Sequence, residues 1–308
     1  MNTIIKDQNS DQSIRLLKAQ RVQYEKAKKI QLTFELISLI VALLMPLFYI
    51  FLPEYKTQAG IIGSILAIIA LIIDRYQKKL TKTAASIQDI FDRTVFKLHP
   101  NKFQKAENVS SEKVIKLAKE YKKNDVKDWY SKSIRGDIPH FIAVILCQKA
   151  NLNWDITLRR KYRNLIWILV IVYFFLFSAS LINSCELTSV FIYDLLLLVI
   201  GGSAFIKYSV NTISEKNDMI SEKSNLNLEI DNIIRNFSNT GVEPTMSEID
   251  GIQNVIFNSR KKAIKVPDWF YYIFKNKQET EMDDVASTII NDQIHNGIIK
   301  SNELKNNS

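Results

Sequence analysis

The stretch LTFELISLIVALLMPLFYIFL, residues 32–52, decides the fold. It is 21 residues of Leu, Ile, Phe, Val and Ala interrupted only by Thr33, Glu35, Ser38, Pro46 and a few aromatics. At about 1.5 Å of rise per residue a helix of this length crosses the roughly 30 Å hydrocarbon core of a bilayer. After a short polar interval around Pro53 to Gln58 comes TQAGIIGSILAIIALII, residues 57–73, with no charged residue. So short an interval allows only an end-to-end turn, and the two blocks form a predicted transmembrane helical hairpin. Pro46 predicts a kink in the outer half of the first span, or its early end.

The plan recurs further along the chain. Leu165 to Ile182 is uncharged, and Leu187 to Ile206 carries one charge, Asp194, the link between them being Asn183 to Glu186. The predicted fold class is all-α: a polytopic membrane protein with four transmembrane helices in two hairpins plus cytosolic helical segments. The expected parts are an N-terminal cytosolic helix (1–31), the first hairpin (32–73), a cytosolic helical domain (74–164), the second hairpin (165–206) and a cytosolic helical C-terminal region (207–308). A mean hydropathy near zero with 47% hydrophobic residues fits apolar spans diluted by charged segments. The first 31 residues are too polar for a secretory signal, so the first span reads as a retained anchor.

Of the 41 Lys and Arg residues, Lys56 alone falls in a short link. Such asymmetry places both termini and the central segment in the cytoplasm. Lys26, Lys28 and Lys29 then meet the headgroups, each contributing about 1 kcal/mol against an anionic leaflet. Cys147 and Cys185 fall on opposite sides, which excludes a disulfide between them and leaves them as packing residues.

The polar segments are helical by their periodicity. Ser13 to Gln31 leads straight into the first span. Asp74 to Leu98 repeats apolar residues at Leu80, Ala84, Ile87, Phe91 and Val95 and stops at His99-Pro100-Asn101. Ser111 to Tyr121 is a short basic helix, Asn124 to Ile138 a loop, and Asp137-Ile138-Pro139 opens a helix that runs through Phe141 to Tyr162 into the third span. A second long cytosolic helix follows the fourth span through Ile213 to Phe237 and can pair with 74–98. Thr245 to Glu248 has capping-box spacing and opens a helix through Ile256. Val266 to Tyr272 reads as an aromatic loop, Met282 to His295 as the last helix, and the end as a polar tail.

The inventory for catalysis is thin. Eight Gly, scattered or paired inside a span, form no phosphate-cradling loop or nucleophile elbow, and the three His are far apart with no Cys or carboxylate at ligand spacing. No enzyme, metal or cofactor is expected. Three polar clusters are instead rich in aromatics and amides: Ile87 to Phe96, Asp128-Trp129-Tyr130, and Cys147 to Tyr162. One reading makes Trp129, Trp154 and Phe91 the core of a small helical domain and Arg159 to Arg163 a juxtamembrane belt. The other brings Trp129, Tyr130, Gln148, Asn151, Trp154, Arg159 and Arg160 together as a site for a phosphate-bearing base, by stacking and bidentate phosphate contact. Gln148, Asn151 and Asp155 share one helical face, with Lys149, Asn153 and Arg160 further round. In the fourth span Asp194, costly at mid-membrane by about 2.5 to 3.5 kcal/mol, is a candidate pore-lining residue or a neutral packing residue. Gly201 to Ala204 form a small-residue patch that permits close helix approach.

The order of these blocks, closing with Pro267-Asp268-Trp269-Phe270-Tyr271 and Lys275-Asn276-Lys277-Gln278, resembles the SMODS-associating four-transmembrane effector family over nearly the whole chain. One departure is His99-Pro100-Asn101, where a Trp-Asn pair is expected. The resemblance implies a pore-forming effector of CBASS-like anti-phage signalling, in which a cyclic oligonucleotide made on infection triggers membrane damage. The expected partners are the lipid bilayer, a cyclic oligonucleotide and further copies of the chain, since four helices enclose no wide channel. No nucleic-acid polymer is expected. A membrane-anchored sensor or scaffold that never conducts is the alternative.

Overall fold

The structure, a computed structural model, describes residues 2–100, 109–123, 125–183, 189–263 and 266–306. Among these residues all regular structure is helical. After a single turn, α1 (Ile4–Asp7), come α2 (Asp11–Phe51) and α3 (Lys56–Phe96), joined by the 3-10 turn Pro53–Tyr55. Hydrogen bonds from Tyr24 to Gln88 and from Gln77 to Gln31, and packing of Met45 with Ala59, fix their antiparallel register. The polar leader and the first apolar block are thus one helix of 41 residues. Pro46 does not end it. That residue is buried, and a proline inside a packed membrane helix is tolerated despite the lost backbone bond.

The short helix α4 (Ser111–Glu120) is capped by the Ser110 hydroxyl. Next, α5 (His140–Asn183) and α6 (Ser189–Thr240) are again single helices, of 44 and 52 residues. They too run antiparallel: Lys149 bonds Asp231, Arg159 bonds Glu215, and Tyr173 packs on Phe205. The chain closes with α7 (Met246–Lys262), opened by the expected Thr245–Glu248 capping box, α8 (Asp268–Ile289), a π turn over Ile290–Ile294, and α9 (His295–Asn306). Two expectations are corrected here. The aromatic stretch after Pro267 is the first turns of α8, because a proline at a helix start is preorganised rather than disruptive. The polar tail is largely helical, packing back on α6, with Lys300 donating to the Asn239 carbonyl.

Three helices are long and apolar enough to cross a membrane, over Asp11–Leu47, Thr57–Phe96 and His140–Ile182. The fourth expected span, 187–206, lies partly outside the described residues, as do Cys185 and the side chain of Asp194. On these helices Leu36, Ile40, Leu44, Ile61, Ile65, Ile68, Ile72, Ile168, Ile171 and Phe175 point outward. An exposed apolar band of this extent is not compatible with water, and the chain is a membrane protein. Away from the band the same helices gather around an apolar core that includes Leu17, Phe91, Phe96, Val144, Ile230, Phe237 and Ile256. The segment before α5 is tied to the N-terminus, Asn2 donating to the carbonyls of Arg135 and Ile138 and Gln8 exchanging bonds with the Tyr130 backbone.

Candidate functional site

Below the apolar band, α5, α6 and α8 enclose a groove of about 510 Å³. That volume is within the range of small-molecule sites, about 300 to 1,000 Å³. The α5 wall presents Lys149, Asn153, Trp154, Thr157 and Arg160, the α6 wall Ser224 and Asn227, and the α8 wall Glu281, Val285 and Ile289. Three- and four-residue spacing puts Lys149, Asn153 and Arg160 on one stripe of α5. Lys149 is held by Asp231 at 2.6 Å and Asn227 at 3.2 Å, so its charge is shared, whereas Arg160 is exposed. The indole of Trp154 leans on Tyr271, ring centroids 5.5 Å apart, and is fixed there as an aromatic wall.

Of the seven residues expected to meet, the structure brings Trp154 and Arg160 together. Gln148, one position from Lys149, faces the opposite way. Its amide donates to Gln253 at 3.2 Å and to the Ile249 carbonyl, inside a buried polar network. There Gln253 donates to Asp89 and Asp92, Tyr130 donates to Asp92 at 2.6 Å, and Arg260 pairs with Asp92. Tyr130 therefore belongs to the core. Trp129 packs edge-on against Phe91 with the Arg21 guanidinium 5.6 Å from its ring. Asn151 is half-buried and outside the groove lining.

Arg159 is buried in a second ion network that joins α5 to α6. It pairs with Asp155 at 2.5 Å and with Glu215 at 3.0 Å, while Lys223 also reaches Asp155 and Lys216 reaches Glu215 at 2.6 Å. Burial alone raises the Asp155 carboxyl, but Arg159 and Lys223 outweigh it and hold the group below the usual carboxylate range. Burial pushes the Lys216 ammonium down to about 8, helped by Arg159 and opposed by Glu215. The groove residues Lys149 and Asn153 were open to sequence reading as the flank of the Gln148 face, whereas Ser224 and Asn227, on α6, carried no local signal. Glu281, Val285 and Ile289 were not, because nothing in the sequence says that α8 returns to α5.

At the edge of the band the four long helices meet in a polar knot. Glu35 accepts from Gln31 and from the Tyr162 hydroxyl at 3.2 Å, Tyr162 and Tyr208 are 2.9 Å apart, and Gln77 donates to Gln31 at 3.1 Å. A cavity of about 80 Å³ beside it is lined by Glu35, Asp74, Gln77, Lys207, Tyr208 and Asn211 among others. No group of His, Cys, Asp and Glu able to hold a metal occurs among the described residues.

A family model described as the SMODS-associating 4TM effector domain matches residues 2–289. A relative from Bacillus cereus (strain VD146), named "Probable CBASS effector molecule", is 27% identical over 296 residues, covering 91% of this chain and 95% of that protein. No solved structure matches.

Proposed function

Because the chain belongs to the SMODS-associating 4TM effector family, we propose that it is a bacterial inner-membrane effector of anti-phage defence, switched by a nucleotide second messenger. A cyclic oligonucleotide binds the α5/α6/α8 groove from the cytosol. The spans then rearrange or assemble with further copies and permeabilise the membrane, the fixed charge of Asp194 lining the path.

One observation carries the reading. One wall of the groove is a helix long and apolar enough to enter the membrane: α5 holds Lys149, Trp154 and Arg160 on the same unbroken rod as the apolar block 165–182. A helix transmits a displacement along its length because each added turn is tied to the last by backbone hydrogen bonds. Closure of the groove on a ligand therefore tilts or slides the outer walls of the bundle. Within the groove Trp154 offers a face for stacking, Asn153 and Asn227 offer amides to a base edge, and Arg160 and Lys149 offer charge to phosphates.

Calorimetry of the purified protein against a panel of cyclic di- and trinucleotides, paired with dye release from vesicles containing it, tests both halves. Binding by one ligand together with ligand-dependent release supports the effector reading. Binding without release supports a non-conducting sensor that recruits a partner. No binding by any of them removes the groove as a nucleotide site. Where release occurs, Asp194→Asn keeps side-chain volume while removing the charge, and an unchanged cation preference in that variant takes Asp194 out of the path.

A further inference from the structure

The first turns of α8 carry an apolar face that no described residue covers. Trp269, Tyr272 and Ile273 are 48, 56 and 63% exposed, and three- and four-residue spacing puts them on one side of the helix. On the other side Phe270 is buried in a cluster with Leu158, Tyr162 and Ile166, its ring 5.2 Å from that of Tyr162. That contact fixes the height of the exposed face, since Ile166 is the second residue of the apolar block 165–182. Phe274, one turn further along α8, sits under the Lys161 ammonium, which is 4.0 Å from its ring centroid. These contacts set the turn that carries Trp269, Tyr272 and Ile273 near the levels of residues 161 to 166, within about 6 Å of the block's edge at 1.5 Å per residue, while Tyr271 on the same turn reaches down toward Trp154.

From this placement we infer that the N-terminal end of α8 is a membrane-interface anchor whose Trp269, Tyr272 and Ile273 side chains dip into the headgroup region of the leaflet bordering the cytosolic domain. Three observations single out the bilayer as the occupant. The face is continuous in height with the exposed apolar band that the spans present. Two further exposed aromatics ring the same edge, Tyr76 just past the second apolar block and Trp167 just inside the third, as an interfacial belt requires. Cations border it, Lys161 over Phe274 and Lys28 paired with Asp268 at the start of the helix, which suits an anionic leaflet. Trp and Tyr are the side chains such a position favours, because an apolar ring enters the acyl boundary while the N–H or O–H stays in the hydrated zone.

The same helix reaches the groove with Glu281, Val285 and Ile289, so one rod runs from the bilayer surface to the outer wall of the proposed ligand site. An anchored end makes that wall a fixed reference against which α5 and α6 move. This consequence rests on the groove reading; the anchor itself does not, and it is tested without any nucleotide.

The full-length protein is reconstituted into vesicles of phosphatidylcholine and phosphatidylglycerol, with or without headgroup-nitroxide lipid, and tryptophan emission is compared for wild type and Trp269→Phe. Four indoles contribute, of which Trp167 and Trp269 are at the belt. The substitution is expected to remove roughly half of the emission that headgroup nitroxide quenches, and the emission lost is expected to resist aqueous iodide. An unchanged nitroxide-quenched fraction overturns the anchor. If the lost emission is open to iodide, the face is in water; if it is shielded from both quenchers, the face is covered by protein, and either result refutes the proposal. Trp269→Phe keeps an aromatic ring at a half-exposed position, and a parallel thermal melt verifies that it folds.

Discussion

Arg159 and Arg160 are neighbours in sequence with opposite tasks. The first is 4% exposed and holds Asp155 and Glu215 together between α5 and α6; the second opens on the groove. Arg159→Ala leaves two carboxylates buried beside Lys223 and Lys216 without their central cation, and removal of one partner from such a network costs about 3 to 5 kcal/mol. A thermal melt in detergent is expected to fall markedly for this variant. Arg160→Ala is expected to leave the melt within about 0.5 kcal/mol of wild type while weakening cyclic-nucleotide binding by about 1.5 to 3 kcal/mol, the range for a hydrogen bond to a charged group. If the two variants behave alike in both assays, the assignment of roles is wrong. The Asp155 carboxyl adds a pH signature. Held below its ordinary value of 3.8, it contributes stability that is complete above that pH and drains away as the pH falls through the native value. Asp155→Asn should therefore be less stable than wild type at pH 7, with the gap closing below about pH 4. A gap independent of pH points to packing instead of charge.

Helix by helix, much of the architecture is legible in the sequence, because the signals are local. Apolar blocks of spanning length, the 3.6-residue recurrence from Leu80 to Val95 and the Thr245–Glu248 box each specify an element through its own residues. The failures are also physical. Pro267 reads as a breaker unless the residues after it are known to be packed, and Phe270 is packed only because α5 comes alongside. The choice of face on α5 is harder still: Gln148 and Lys149 are both polar, and only the positions of α7 on one side and α6 and α8 on the other decide that one is core and the other lines the groove. Trp129 and Tyr130 look the same in sequence whether they stack on a ligand or on Phe91. The small-residue patch was readable and has a definite partner. A Cβ on Gly202 would meet the Tyr173 hydroxyl oxygen at 2.0 Å and Cζ at 2.7 Å, and Tyr173 is itself buried among Phe174, Phe177 and Phe205. Gly202→Ala is expected to cost about 1 to 3 kcal/mol by overpacking, read as a lower melting temperature. Since the Tyr173 hydroxyl has no hydrogen-bond partner among the described residues, Tyr173→Phe alone should be nearly silent and should recover part of the Gly202→Ala loss. Full tolerance of Gly202→Ala would show that α5 and α6 do not approach so closely.

At the scale of the whole molecule the question is which way the two helix pairs face. Positive residues bind the orientation most strongly when they lie within about 15 to 20 residues of a span, and here they do: Lys26, Lys28 and Lys29 before the first block, Arg75, Lys78, Lys79 and Lys82 after the second, Arg159 to Arg163 before the third, and Lys207 after the fourth. The short link opposite carries Lys56 against Glu54. Were the topology reversed, these flanking cations would have had to cross the membrane. A probe must avoid the native thiols, because Cys147 is buried in the core and would stay unlabelled on either side. Lys132 and Glu54 are better positions: the Lys132 side chain is 76% exposed and Glu54 is exposed in the turn between α2 and α3. In a Cys185→Ser background, Glu54→Cys should react with a membrane-impermeant maleimide on intact spheroplasts, and Lys132→Cys only after permeabilisation. Neither substitution touches the groove or the buried ion networks, so expression should be preserved. Labelling of Lys132→Cys in sealed cells would place the groove outside, beyond reach of a cytosolic nucleotide, and would overturn the proposed function at its root.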